Sequence, residues 1–107
     1  MIYELRIYET IPGRLPDLHR RFETITLKIF ERLGIRQAGF WTADVGTSNE
    51  LIYLLAWDSL AEREEKWAIF QADPEWNEKR AQTEANGPIV ARVRNSFLRP
   101  TPYSSVK

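Results

Sequence analysis

The side chains of this sequence that are placed to do chemistry are few. His19 is the one histidine, the residue type whose charge changes near neutral pH and which serves as proton carrier or axial haem ligand. Arg6 and Tyr8 stand two residues apart, a spacing that puts both on one face of a strand. An arginine held in a cleft can grip a carboxylate or phosphate with two parallel hydrogen bonds. Trp41, Tyr53 and Trp57 supply aromatic surface, and ligand pockets are mostly apolar with a few placed polar groups. Each set also has a plainer reading. A histidine at the rim of an apolar helix stripe is commonly half-buried scaffolding, and aromatics at strand spacing are commonly core. Glu4, Arg6, Arg92 and Arg94 can form cross-strand ion pairs that steady a sheet.

Several chemistries are excluded. The sequence has no cysteine, so disulfides, zinc ribbons, iron–sulfur clusters and thiol nucleophiles fall away. A lone histidine cannot build a multi-histidine metal site. There is no phosphate loop, dinucleotide-binding glycine run, Gly-x-Ser-x-Gly elbow or His-Glu-x-x-His pair. Basic and acidic residues balance at fifteen each, which argues against a nucleic-acid partner. No apolar run approaches the roughly 20 residues of a membrane span. The chain opens directly into a strand pattern at Ile2, so no signal or transit peptide is expected and the default location is the cytoplasm. Its 107 residues suit one domain.

The element that organises the rest is the dense apolar run Leu51–Trp57, read as a strand over Asn49–Asp58 buried on both faces. Ser59 with Glu62 three residues later forms a capping box, so a helix starts at once and carries Leu60, Trp67 and Phe70 on one face. The Glu62, Glu64, Glu65 cluster beside Arg63 and Lys66 reads as the solvated face of that helix. Asp73-Pro74 signals a fresh start for a short helix anchored by Trp76, ended by Gly87-Pro88. Upstream, Ile2–Glu9 alternates Tyr3, Leu5 and Ile7 against Glu4, Arg6 and Tyr8. A helix from Pro16 follows, with Leu15, Leu18, Phe22, Ile25, Ile29 and Leu33 along one stripe, stopped by Gly34. His19 lies at the edge of that stripe. Ile35–Asp44 and Ile89–Leu98 complete the strands, and residues 99–107 form an extended tail.

The order β-α-β-β-α-β predicts an α+β, ferredoxin-like fold: a four-stranded antiparallel sheet with the helices on one face. The other face is then bare. Whichever parity of the central strand points outward, it carries Leu51, Tyr53, Leu55 and Trp57 or Ile52, Leu54 and Ala56. At about 25 cal/mol per Å² of apolar surface, exposing such a row forfeits several kcal/mol. Pairing two sheets face to face as a homodimer removes that cost.

Tyr3-Glu4-Leu5-Arg6-x-Tyr8, Gly39-Phe40-Trp41-Thr42, Asn49-Glu50-Leu51, Trp57-Asp58-Ser59-Leu60-x-Glu62-Arg63, Asp73-Pro74-Glu75-Trp76 and Leu98-Arg99-Pro100, taken in order, resemble the NIPSNAP family over nearly the whole chain. The resemblance implies a dimeric α/β barrel, a class that includes cofactor-less monooxygenases, isomerases and haem-binding enzymes. Members similar to this chain mostly lack an assigned activity. Where such relatives often read His-Leu-Trp in the central strand, this chain has Tyr53-Leu54-Leu55, so Tyr53 would have to serve in place of that histidine.

Two functional expectations follow. The first is a dimeric small-ligand-binding or accessory protein, without cofactor, holding a small aromatic or acidic molecule between sheet and helices through Arg6, Tyr8, Trp41, Tyr53 and Trp57. The alternative is a cofactor-independent monooxygenase or isomerase in which His19 or Tyr53 moves protons and Trp41 stacks on the substrate. Haem binding through His19 is a third, weaker option.

Overall fold

The chain runs β1 (Ile2–Thr10), α1 (Leu15–Arg21), a π-helical turn (Phe22–Thr26), α2 (Leu27–Leu33), β2 (Arg36–Trp41), β3 (Glu50–Trp57), α3 (Leu60–Ala72), α4 (Pro74–Thr83) and β4 (Val90–Leu98). These bounds come from a computed structural model that describes residues 1–107. The strands form one sheet in the order β2-β3-β1-β4, antiparallel at every junction. The helices pack on one face of it. This is the expected ferredoxin-like arrangement, with β1 and β3 at its centre.

The helix boundaries follow from local chemistry. Gly34 ends α2 in the left-handed region at φ 73°, a conformation that favours glycine. Ser59 Oγ accepts the Glu62 N–H at 3.1 Å, opening α3. The Glu62 carboxylate reaches back to the amide of Asp58, not of Ser59, so the box closes one residue earlier than expected. Asp73 caps α4 by accepting the Trp76 N–H at 2.9 Å, with Pro74 in the first turn. That helix ends at Thr83, ahead of Gly87-Pro88, because residues 84–86 form a turn.

The first helix holds a feature the periodicity did not reveal. Between α1 and α2 the chain takes one π-helical turn. The buried sets Leu18, Arg21, Phe22 and Thr26, Ile29, Phe30 therefore repeat at a spacing of eight residues. An unbroken α-helix returns to the same face after about seven residues. The extra residue keeps both halves facing the sheet, and it turns Arg21 inward, where the 3.6-residue stripe had no place for it.

Which face of β1 meets the helices is decided by charge pairing. Glu4 and Arg6 are buried beneath the helices, together with Leu51, Tyr53, Leu55 and Trp57 of β3. Tyr3, Leu5 and Ile7 lie on the opposite face, in register with Ala56, Leu54 and Ile52. The central strand is thus sealed on one face, while Ile52 and Leu54 on the other remain half-buried. Ion pairs border this open face: Arg92 with Glu9 at 3.0 Å, Arg94 with Glu50 at 2.8 Å and Arg36 with Asp58 at 3.0 Å.

Strand β2 stops at Trp41, short of the expected Asp44. Gln37 pairs with Leu55 and Phe40 with Tyr53, so Ala38 and Gly39 together oppose one residue of β3. This is a bulge, and Gly39 sits in it at φ 129°. The two-residue alternation of the strand breaks there, with Phe40 beneath the helices and Trp41 opposite Ile52. The tail is not extended: Ser104 N–H bonds to the Thr101 carbonyl, and the Lys107 carbonyl accepts the Tyr3 hydroxyl at 3.0 Å.

Candidate functional site

Beneath the helices, β1 and β3 build a polar cluster inside the aromatic core. Its centre is the Glu4 carboxylate, which has no solvent exposure. One oxygen accepts from Arg6 Nη1 (2.8 Å), Arg63 Nη2 (3.1 Å) and Asn95 Nδ2 (3.0 Å), the other from Trp57 Nε1 (3.1 Å) and Arg63 Nε (3.1 Å). Burial alone would push this carboxyl up, but the Arg63 and Asn95 hydrogen bonds and the Arg6 charge hold it below the usual range. Arg63 was expected on the solvated face of α3. It turns inward because Arg63, Trp67 and Phe70 share a face, and its guanidinium lies 5.2 Å from the Trp67 ring.

Arg6 continues the cluster. Its Nε donates to the Tyr53 hydroxyl at 2.8 Å and its Nη2 to the Tyr8 hydroxyl at 3.3 Å. The guanidinium carbon sits 4.3 Å from the centre of the Trp67 ring. Tyr53 in turn donates to Tyr8 at 2.9 Å. The Tyr53 ring stacks on Phe40 with 4.6 Å between centroids. Burial, and then the neighbouring Tyr8, push the Tyr53 phenol well above its ordinary range, so it stays a neutral hydroxyl at physiological pH. Tyr8 receives two hydrogen bonds, and within the chain its own proton goes to no acceptor.

Arg6 and Tyr8 open onto a cavity of about 400 Å³ between the sheet and the helices. Its wall also includes Arg21, Trp67, Trp76 and Arg80, and it contains no aspartate or glutamate. The volume falls within the roughly 300–1,000 Å³ of small-molecule sites. Arg21 went unnoticed in the sequence because it reads as one more charged residue beside Arg20. Trp67 and Trp76 were legible as apolar anchors, but their part in a cavity was not.

The remaining predicted residues lie elsewhere. Trp57 has no exposure, and its N–H is committed to Glu4. His19 and Trp41 line a separate cavity of about 260 Å³ at the β2 end, with Phe22, Glu23, Leu27 and Phe40. The fold thus brings Arg6, Tyr8 and Tyr53 together, and it gives His19 and Tyr53 no hydrogen-bonded link. The space beside His19, about 260 Å³, lies below the usual range of ligand pockets. Arg92 and Arg94 pair with Glu9 and Glu50 and not with Glu4, and Arg92 also belongs to the wall of the larger cavity. No group of three or more His, Asp or Glu side chains is placed to hold a metal ion. No helix is long and apolar enough to cross a membrane.

The backbone superposes on known structures over nearly its full length. A NIPSNAP-like domain protein from Burkholderia xenovorans is 29% identical with a TM-score of 0.85, covering 96% of this chain and 87% of that one. Protein Atu4242 from Agrobacterium tumefaciens is 26% identical with a TM-score of 0.87, and each chain is covered in full. A dimeric ferredoxin-like protein from an uncultured marine organism shares the fold at 14% identity and a TM-score of 0.57, over 92% of either chain. No curated protein matches the chain. The NIPSNAP family model matches residues 3–105, the span that holds the Glu4 cluster and the whole cavity wall, and the chain belongs to the NIPSNAP family.

Proposed function

We propose that this chain is a dimeric small-ligand-binding protein whose ligand carries an aromatic or acidic group. The observation that carries this reading is the cavity of about 400 Å³ lined by Arg6, Tyr8, Arg21, Trp67 and Trp76, with no carboxylate among its lining residues. A positive, aromatic-walled space of that size favours a flat organic anion over a cation or a sugar. Arg6, with Tyr53 locked behind it, holds the Tyr8 hydroxyl at the cavity wall.

The dimer forms through the open sheet face. Its support is the half-buried row Leu5, Ile7, Ile52 and Leu54, a contiguous apolar patch of the kind that marks interaction surfaces. The marine ferredoxin-like neighbour is itself described as dimeric.

Two measurements test the reading. Sedimentation at micromolar concentration should give a species of twice 12.6 kDa, reduced to monomer by Leu54→Arg. A single 12.6 kDa species in the unmutated protein removes the dimer. A thermal-shift screen of small aromatic acids should raise the melting temperature, since a ligand at 100 times its Kd adds about 2.7 kcal/mol. A screen without any stabilising acid removes the ligand site.

A further inference from the structure

The geometry points to Arg21 as the anchor for a carboxylate in the cavity, so that the ligand is an aromatic carboxylic acid held with its ring against Trp76 and Trp67. This rests on the reading of that cavity as a ligand site.

Arg6 and Arg21, both in the cavity wall, are not equivalent. Each guanidinium nitrogen of Arg6 is engaged, by Tyr53, Glu4 and Tyr8. Arg21 is 5% exposed, and its Nε is buried with no hydrogen-bond partner. Its Nη1 reaches only Thr83 Oγ1, at 3.5 Å. The nearest carboxylate, Glu84, stands at 3.8 Å, beyond hydrogen-bond range. A buried guanidinium left with unmatched donors is costly. The Arg21 Nε is closed off, but Nη2 makes no hydrogen bond and is not enclosed, so the Nη1–Nη2 edge of the planar fork is the part a carboxylate can meet with two parallel N–H bonds.

The surroundings select the rest of the ligand. The Arg21 guanidinium carbon lies 5.5 Å from the centre of the Trp76 ring, and Trp76 stacks on Phe70 at 4.8 Å. Trp67 and Phe70 extend the same apolar wall. Arg80 stands on the same cavity, and its Nε approaches Glu84 at 3.5 Å. Glu84 therefore divides its charge between Arg21 and Arg80, and it competes with an incoming carboxylate for Arg21. The Tyr8 hydroxyl, whose proton has no acceptor within the chain, lines the same cavity.

Isothermal titration with benzoate and with benzamide tests the assignment. The two probes share shape and differ in charge. The unmutated protein should bind benzoate at least tenfold more tightly than benzamide. Arg21→Lys, checked for folding by circular dichroism, keeps the charge but loses the fork, and should lose most of that preference. Glu84→Gln removes the competitor and should tighten benzoate several-fold. Equal binding of the two probes overturns the anchor and leaves the cavity reading standing. So does an Arg21→Lys protein that keeps the full preference. No binding of either probe overturns both.

Discussion

Replacing Glu4 by glutamine tests the buried cluster on which the site rests. The substitution preserves shape, removes the charge, and turns one oxygen into an NH₂ that faces donors. Five N–H bonds now converge on the carboxylate. If the NH₂ takes the oxygen shared by Trp57 and Arg63 Nε, two of those bonds are lost; in the other orientation three are lost. Hydrogen bonds to charged groups are worth about 1.5–3 kcal/mol each, and removing one partner of a buried ion pair costs about 3–5 kcal/mol. Arg63 keeps some exposure and can turn partly to water, so we expect a loss of about 3–5 kcal/mol rather than more. That is a large share of the roughly 5–15 kcal/mol that holds a domain together. Urea unfolding followed by tryptophan fluorescence, at one protein concentration so that assembly is held fixed, measures it. The pH dependence gives a second check. The folded-state carboxyl lies below its unfolded value of 4.5, so its contribution is full above that value and is lost as pH falls through the folded one. The stability gap between the two proteins should be constant near neutrality and narrow in acid. A loss under about 1 kcal/mol at pH 7, or a gap that widens on acidification, refutes the account.

Tyr53→Phe keeps the stack on Phe40 but strips the hydroxyl from Arg6 Nε and Tyr8; it should cost about 1–3 kcal/mol in urea unfolding, the price of an unmatched buried donor. Asp73→Ala removes both the α4 cap and the carboxylate of the Arg32 pair. A cap is worth about 0.5–2 kcal/mol, and hydrogen exchange at the Trp76 amide should accelerate while the β1–β3 amides stay protected.

What could be read from the sequence was whatever is specified locally. Gly34, Ser59 with Glu62, and Asp73-Pro74 each act within one helical turn, and each falls where its chemistry puts it, apart from the one-residue shift at Asp58. The alternation of β1 was also readable, but not the side that faces inward. Hydropathy favours burying Tyr3, Leu5 and Ile7. The fold buries Glu4 and Arg6 instead, because Arg63, Trp57 and Asn95 reach Glu4 from residues 53 to 91 positions away. Such long-range neutralisation leaves no periodic trace. The Gly39 bulge and the π-helical turn are likewise single-residue departures from regular period, invisible to a pattern that assumes it. For this reason Trp41 went to the β2 edge with His19, and Arg21 entered the cavity unannounced.

The π-helical turn lets the first helix carry one residue more than uniform winding would allow without changing the face it shows the sheet. Deleting Thr24 would shorten the eight-residue repeat to seven, the interval at which an unbroken α-helix, turning about 100° per residue, comes back to the same face. Leu18, Arg21 and Phe22 would then stay in phase with the buried set that follows them. A relative lacking one residue at this point can therefore present the same face to its sheet, and an inward arginine in it is found by counting from each side of the gap.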